Sequence, residues 1–313
     1  MKRNRFQNKV ATSSFTLPVA SVMAMLLWLA GGTYDYRLLF GWLLCGLTTY
    51  LILEINNSNA LIRIRTRLTS ALFITGTGAF FFLHPFQAGS VAMVSLAVSY
   101  YLLFRTYQQT QPVGTVFHVF LALSIGSLWF PQLVFLAPFY YGYMGTFLRC
   151  LTFRTFWAGV TGLVLPYWFW AGAAIVSNRF EGLTAHACEW LCFEQPDTTG
   201  YLCLTYPQIG AWGLTTLLGI ISILYYLHTD YNDKIRVRML IYMLIFQELV
   251  LEAFLLLQPQ HFNTLLALLH LNTSFLASHY FALTSSRLSN TLFIITLLIY
   301  AALAALCLYG HIY

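Results

Sequence analysis

Long apolar runs separated by short polar turns occupy the chain from about residue 15 onward. Eleven of these runs read as helices, over about 15–31, 38–55, 68–83, 89–104, 114–130, 132–148, 156–177, 207–228, 239–257, 262–283 and 290–309. A helix rises about 1.5 Å per residue, so roughly 20 apolar residues cross the hydrocarbon of a bilayer. The pairs 68–83/89–104 and 114–130/132–148 are short for that and read as tilted spans or as hairpins that stop short of a full crossing. The breaks have local causes. His84-Pro85, Phe130-Pro131 and Gln258-Pro259 each place a proline where the preceding helix cannot continue. The stretch Asn56-Asn57-Ser58-Asn59 is a turn signal. The pattern predicts an all-α, polytopic transmembrane helix bundle of about 11 helices (9–12), forming one domain over 1–313 without internal repeats.

Composition agrees with that pattern. Apolar residues make up 59% of the chain and charged residues 8%, where a soluble domain carries about 25% charged residues. So few charges cannot coat a soluble globule of this size, and lipid is the simplest solvent for the rest. The 20 Tyr and 8 Trp suit a protein with two membrane–water interfaces. A net charge of +6 could suggest nucleic acid, but the basic residues sit in short turns and form no continuous face, so no nucleic-acid partner is expected. The basic start and apolar run of residues 1–32 look like a signal peptide. Tyr34, Asp35 and Tyr36 lead straight into another apolar run, so the segment is read as a first span.

Cationic residues orient the bundle. With the N-terminus cytoplasmic, the inner segments take Lys2, Arg3, Arg5, Lys9, Arg63, Arg65, Arg67, Arg105, Arg149, Arg154, Lys234, Arg236, Arg238 and Arg287, leaving Arg37 and Arg179 outside. Eleven crossings then put the C-terminus outside, in a bacterial inner membrane. The one sizeable outer segment, about 178–206, contains the amphipathic stretch NRFEGLTAHACEWLCFEQPD and reads as an interfacial helix.

Candidate chemistry concentrates in two spans. Glu248 and Glu252, four residues apart, share one helix face. A carboxylate in hydrocarbon is costly and must be paired, protonated or wet. His270 lies at a similar depth on the next, antiparallel span and could meet Glu248. That span also holds Asn272, Thr273, Ser274, Ser278 and His279, so it should face the interior. Such a polar cluster serves either as a proton relay or substrate site, or as buried hydrogen bonds joining helices; the second weighs more from sequence alone. Arg63, Arg65, Arg67, Arg149 and Arg154 form a candidate anion-binding inner face for a phosphate or anionic lipid head group, though the bias of cations to the inner leaflet explains them as simply. Cys188, Cys192 and Cys203 in the outer segment allow one disulfide of open pairing. With His186 they supply zinc-type ligands, but at no common zinc spacing, so no metal is expected. Asp35 is the sole acid of the first outer loop and the one catalytic candidate; a helix-capping turn is the plainer account of it. GxxxxGK[ST], HExxH, CxxC and GxSxG are all absent, and no cofactor is expected.

Two stretches, RCLTFRTFWAGVTGLVLPYW (149–168) and 236–290 with LLLQPQHFNTLLALLHLN and SHYFALTSSRLSN, resemble an uncharacterised family of bacterial multi-pass inner-membrane proteins. They cover under a third of the chain, and the resemblance implies location but no active site. The helix order of the middle region, with the Gly- and Pro-containing stretch 113–149, is loosely similar to multi-spanning glycosyltransferases that use lipid-linked sugars. That resemblance implies an acidic residue in the first outer loop, for which Asp35 stands here, while the usual acidic pair and large outer domain are missing.

The sequence thus leaves three expectations for function. The foremost is a non-enzymatic component of a cell-envelope system, with the bilayer and a further membrane protein as partners. The alternatives are a proton-coupled transporter or flippase, and a membrane transferase acting on a lipid-linked substrate. Membrane fractionation checks the shared premise: the protein should stay with membranes through alkaline carbonate washing and require detergent for monodispersity.

Overall fold

The computed structural model describes residues 5–31, 35–177, 181–191 and 199–312, and every regular element among them is helical. The α-helices are α1 (Phe6–Thr12), α2 (Thr16–Ala30), α3 (Tyr36–Asn59), α4 (Leu68–Ala79), α5 (Ala88–Arg105), α6 (Val113–Ser127), α7 (Ala137–Thr146), α8 (Phe153–Ser177), α9 (Glu181–Leu191), α10 (Thr199–Leu202), α11 (Tyr206–Thr229), α12 (Ile235–Leu257), α13 (Phe262–Leu283) and α14 (Arg287–Ile312). 3₁₀ segments begin at Pro131 (Pro131–Leu136) and Pro259 (Pro259–His261), where the missing N–H and fixed φ of proline end one helix and start the next. Each of the eleven apolar runs overlaps a helix, but the described residues hold fourteen α-helices rather than the expected 9–12, and the run at 68–83 ends in a 3₁₀ turn after α4. The run at 132–148 divides into a 3₁₀ turn and α7, and α1, α9 and α10 are additional.

Six helices among the described residues are long and apolar enough to cross a membrane: α3, α5, α8, α11, α12 and α14. The pair α1–α2 passes the same test together but is bent by 96°, whereas α4 and α6 are apolar and shorter. Large apolar side chains stand exposed along the long helices, among them Leu43 and Leu47 of α3, Trp168 and Phe169 of α8, Ile220 and Leu224 of α11, and Ile295 and Leu298 of α14. A water-facing surface would not carry apolar residues in this density, and hydrocarbon would accept them at no cost.

The chain divides into two compact units, residues 1–90 with 198–313, and residues 91–197. In the first, α13 is the axis. Nineteen of its 22 residues are buried, and α4, α11 and α12 surround it. Its polar residues therefore meet neighbouring helices rather than lipid. The short α1 is fixed by Gln7, which is fully buried. Its backbone N–H donates to Asn290 Oδ1 at 3.0 Å, its amide nitrogen donates to Thr284 Oγ1 at 2.9 Å and to the Phe281 carbonyl, and its Oε1 accepts from Ser289 Oγ at 3.0 Å.

The second unit is built on close approach of α6 and α8. A Cβ on Gly162 would lie 2.4 Å from the Phe117 carbonyl oxygen, and one on Gly159 would lie 2.4 Å from the Tyr141 hydroxyl. Small residues at this spacing let two helix backbones meet where no hydrophobic force drives helices together. Ser124 Oγ donates to the Leu163 carbonyl at 2.6 Å across the same contact. Helix α9 is held on α8 through the His186 ring, 5.0 Å from Trp170 and 5.7 Å from Tyr167.

Gly162→Ala is accordingly expected to destabilise the protein by about 1–3 kcal/mol through overpacking. Gly172→Ala, on the same helix with nothing within 4 Å of the added carbon, should be neutral or slightly stabilising. Thermal denaturation of the two variants in mild detergent distinguishes them.

Candidate functional site

Helix α11 carries Gln208, Trp212, Thr216, Gly219, Ser222 and Tyr226 at spacings of three and four, which places them in one stripe. That stripe faces α12 and α13, and the three helices share a seam of polar contacts. Gln208 Nε2 donates to Asn263 Oδ1 at 2.8 Å near one end. Next along, Glu252 Oε1 accepts from Trp212 Nε1 at 2.8 Å and from Thr216 Oγ1 at 3.0 Å. One turn deeper, Glu248 is 4% exposed and faces Gly219, where an added Cβ would lie 2.6 Å from its Oε1. Further on are the Ser222 and Tyr226 hydroxyls, both buried and without a hydrogen-bond partner. The seam ends on Asp233, whose Oδ2 lies 3.1 Å from His279 Nε2 and whose Oδ1 lies 2.7 Å from Arg63 Nε. The Tyr226 ring stands edge-on to the His279 ring, with centroids 5.1 Å apart. From Gln208 to Tyr226 the stripe is about 27 Å long, close to the roughly 30 Å of a hydrocarbon core.

Asn272 Nδ2 has two hydrogens and donates them to the Leu244 carbonyl at 2.9 Å and to Glu248 Oε2 at 2.6 Å. Thr273 Oγ1 lies 2.5 Å from Glu248 Oε1 and 2.8 Å from the Leu269 carbonyl. A threonine has one hydroxyl hydrogen, and two acceptors lie within its reach. Thr273 therefore donates to either Glu248 Oε1 or the Leu269 carbonyl at any one time. Glu252, by contrast, receives two donors on one oxygen and is only partly buried.

The residues singled out in the sequence fall at several places. Glu248 and Asn272 bond to each other, Glu252 bonds to α11, and His279 belongs to the Asp233 end. His270 does not meet Glu248. It lies about 200° round the helix from Asn272, with Nε2 3.1 Å from the Phe73 carbonyl on α4 and its ring stacked on Phe73. The proposed basic face divides as well. Arg63, Arg65 and Arg67 belong to the first unit, where Arg63 is paired with Asp233 and Arg67 donates to the Ser14 carbonyl at 3.2 Å. Arg149 and Arg154 belong to the second, where Arg154 donates to Gln111 Oε1 at 3.2 Å.

Asp35 is exposed at the start of α3 and makes no side-chain capping bond. It lines a pocket of about 240 Å³ with Arg37 and His84. Cys188 and Cys203 are exposed free thiols, and Cys192 lies outside the described residues. Cys150, between α7 and α8, is buried, which pushes its thiol up in pKa while the thiol donates to Thr106 Oγ1 at 3.3 Å; it is a packing residue. Among the described residues no three His, Cys, Asp or Glu side chains are grouped so as to hold a metal. The residues that sequence reasoning missed are Asp233, Trp212 and Tyr226. Asp233 had a signal, being an acid inside the basic turn before α12.

Compared with known proteins, the chain matches no family model, no curated protein and no solved structure.

Asp233→Ala removes the carboxylate that pairs with Arg63 and bonds to His279 and is expected to cost about 1–3 kcal/mol. Arg63→Ala should cost less than about 1 kcal/mol, because the guanidinium is nearly half exposed at 47%. Denaturation midpoints of the two variants measure the difference, and equal losses would contradict the burial of the Asp233 side chain, which is 1% exposed.

Proposed function

We propose that the protein is a multi-pass integral membrane protein of a bacterial inner membrane, with a cytoplasmic N-terminus and an outer C-terminus, and that it works as a proton-coupled transporter. The topology is supported by contacts at one end of the first unit. Arg63 pairs with Asp233, Arg236 Nη2 donates to Asn59 Oδ1 at 2.9 Å, and Gln7 bonds to Thr284 and Ser289. The turn at 63–67, the turn before α12, the turn before α14 and the basic N-terminal helix therefore meet on one face, as cations held back in the cytoplasm require.

The observation that carries the transport reading is the buried Glu248 carboxyl, which accepts from Asn272 and Thr273 and has no cation beside it among its described contacts. A carboxyl group this deep in an apolar span, with only neutral donors bonded to it, is a candidate proton-binding site. Glu252 toward one end and the Ser222, Tyr226 and His279–Asp233 groups toward the other extend that site along the whole seam. A proton leaving Glu248 needs only that Thr273 turn its hydroxyl from Leu269 to the carboxylate.

A second reading, a transferase using a lipid-linked substrate, draws support from the pocket that sets Asp35 beside Arg37 and His84. It predicts loss of function in Asp35→Asn with the seam intact. The foremost expectation from sequence, a non-enzymatic envelope component, treats the same glutamates as ties between helices, and predicts that replacing Glu248 or His270 with an apolar residue of similar size alters stability alone.

Proteoliposomes with an imposed pH gradient and an internal pH-sensitive dye test the transport reading. The wild-type protein should admit protons faster than empty liposomes. Glu248→Gln, which keeps the shape and can still donate to Thr273, should abolish that flux while retaining the thermal midpoint. Infrared difference spectra across a pH titration should show a protonated-carboxyl band that disappears in the same variant. Wild-type flux in Glu248→Gln would overturn the reading.

A further inference from the structure

Away from the seam, α1, α2, α4 and α14 enclose an apolar groove of about 520 Å³. Its floor is made of small residues, Ala20, Ala24 and Ala71, and Gly78 lies against Ala24, where an added Cβ would be 2.9 Å from the alanine Cβ. Its rim includes Val19 and Met23, both more than half exposed. The groove begins at Lys9, Ser13 and Thr16, at the bend between α1 and α2, and follows α2 as far as Leu27. From Thr16 to Leu27 is about 17 Å along the helix, a little more than half of a roughly 30 Å hydrocarbon core. That is the depth of one leaflet.

The two ends differ in chemistry. The far end is lined by Leu27 and Ala79. At the near end Lys9 is exposed, and Arg67 is tied to the Ser14 carbonyl at 3.2 Å, so a second cation stands beside the bend. Gln7 fixes α1, and with it Lys9, to the turn before α14. A cation held at the head-group level above a one-leaflet apolar slot is complementary to an anionic phospholipid.

We infer that this groove is a binding site for an anionic glycerophospholipid, with one acyl chain along α2 and its phosphate at Lys9. The site is separate from the proton seam, so its occupancy and the transport reading can fail independently. Native mass spectrometry and thermal denaturation of the full chain in mild detergent provide the test, with phosphatidylglycerol and phosphatidylcholine of identical chains as probes. Phosphatidylglycerol should be retained as a bound lipid and should raise the thermal midpoint more than phosphatidylcholine. Lys9→Gln should weaken phosphatidylglycerol binding about fivefold and leave phosphatidylcholine unchanged. Ala20→Phe, or Met23→Trp on the rim should the first fail to fold, should displace both lipids by filling the slot. Equal binding of the two lipids by wild type and Lys9→Gln, retention unaffected by the filled groove, or an equal shift from inorganic phosphate alone would each overturn the assignment.

Discussion

A helix that is too polar for lipid must be enclosed by helices that are not, and the first unit follows from that constraint. The 22 residues of α13 include two histidines, two asparagines and several hydroxyl side chains. In hydrocarbon each unsatisfied polar group costs several kcal/mol. α13 is therefore placed on the axis, and its neighbours supply complementary groups: Glu248 for Asn272 and Thr273, Phe73 for His270, Asp233 for His279, and Thr69 for Ser278. The neighbours can turn their apolar faces outward because α13 takes their polar ones. The long helices with the most exposed leucine and isoleucine are the ones that lie outside this axis.

Glycine sets the other half of the arrangement. At Gly219 and Gly162 the absence of a Cβ decides how near two helices can come, in one case to admit a carboxyl group and in the other to bring α6 onto α8. The seam thus depends on a small residue on α11 as much as on the acids of α12. A tie of this kind is rigid in packing, yet it still has one mobile part, the threonine hydroxyl that can serve either of two acceptors.

Much of the fold was legible because hydropathy reports directly on what a bilayer tolerates. The eleven apolar runs, the prolines at their breaks and the polar character of α13 all follow from composition at a spacing of about 3.6 residues. The candidate site was legible in part. That Glu248 needs a partner could be read from its position within an apolar span, but not which partner. Depth along two antiparallel helices puts His270 and Asn272 equally near, and only the rotation of α13 selects Asn272. Gln7 gave no signal at all, since a glutamine among Arg5, Asn8 and Lys9 reads as solvated. Its role depends on residues more than 270 positions away.

That distance in sequence has a consequence for biosynthesis. A nascent chain inserts its first helices long before residues 284–290 leave the ribosome. Until α13 and α14 arrive, the amide of Gln7 has none of its later partners, and the slot beside α2 has no wall from α14. Helix α1 is thus made long before it can be seated, because α14 supplies both Ser289 and one wall of the slot.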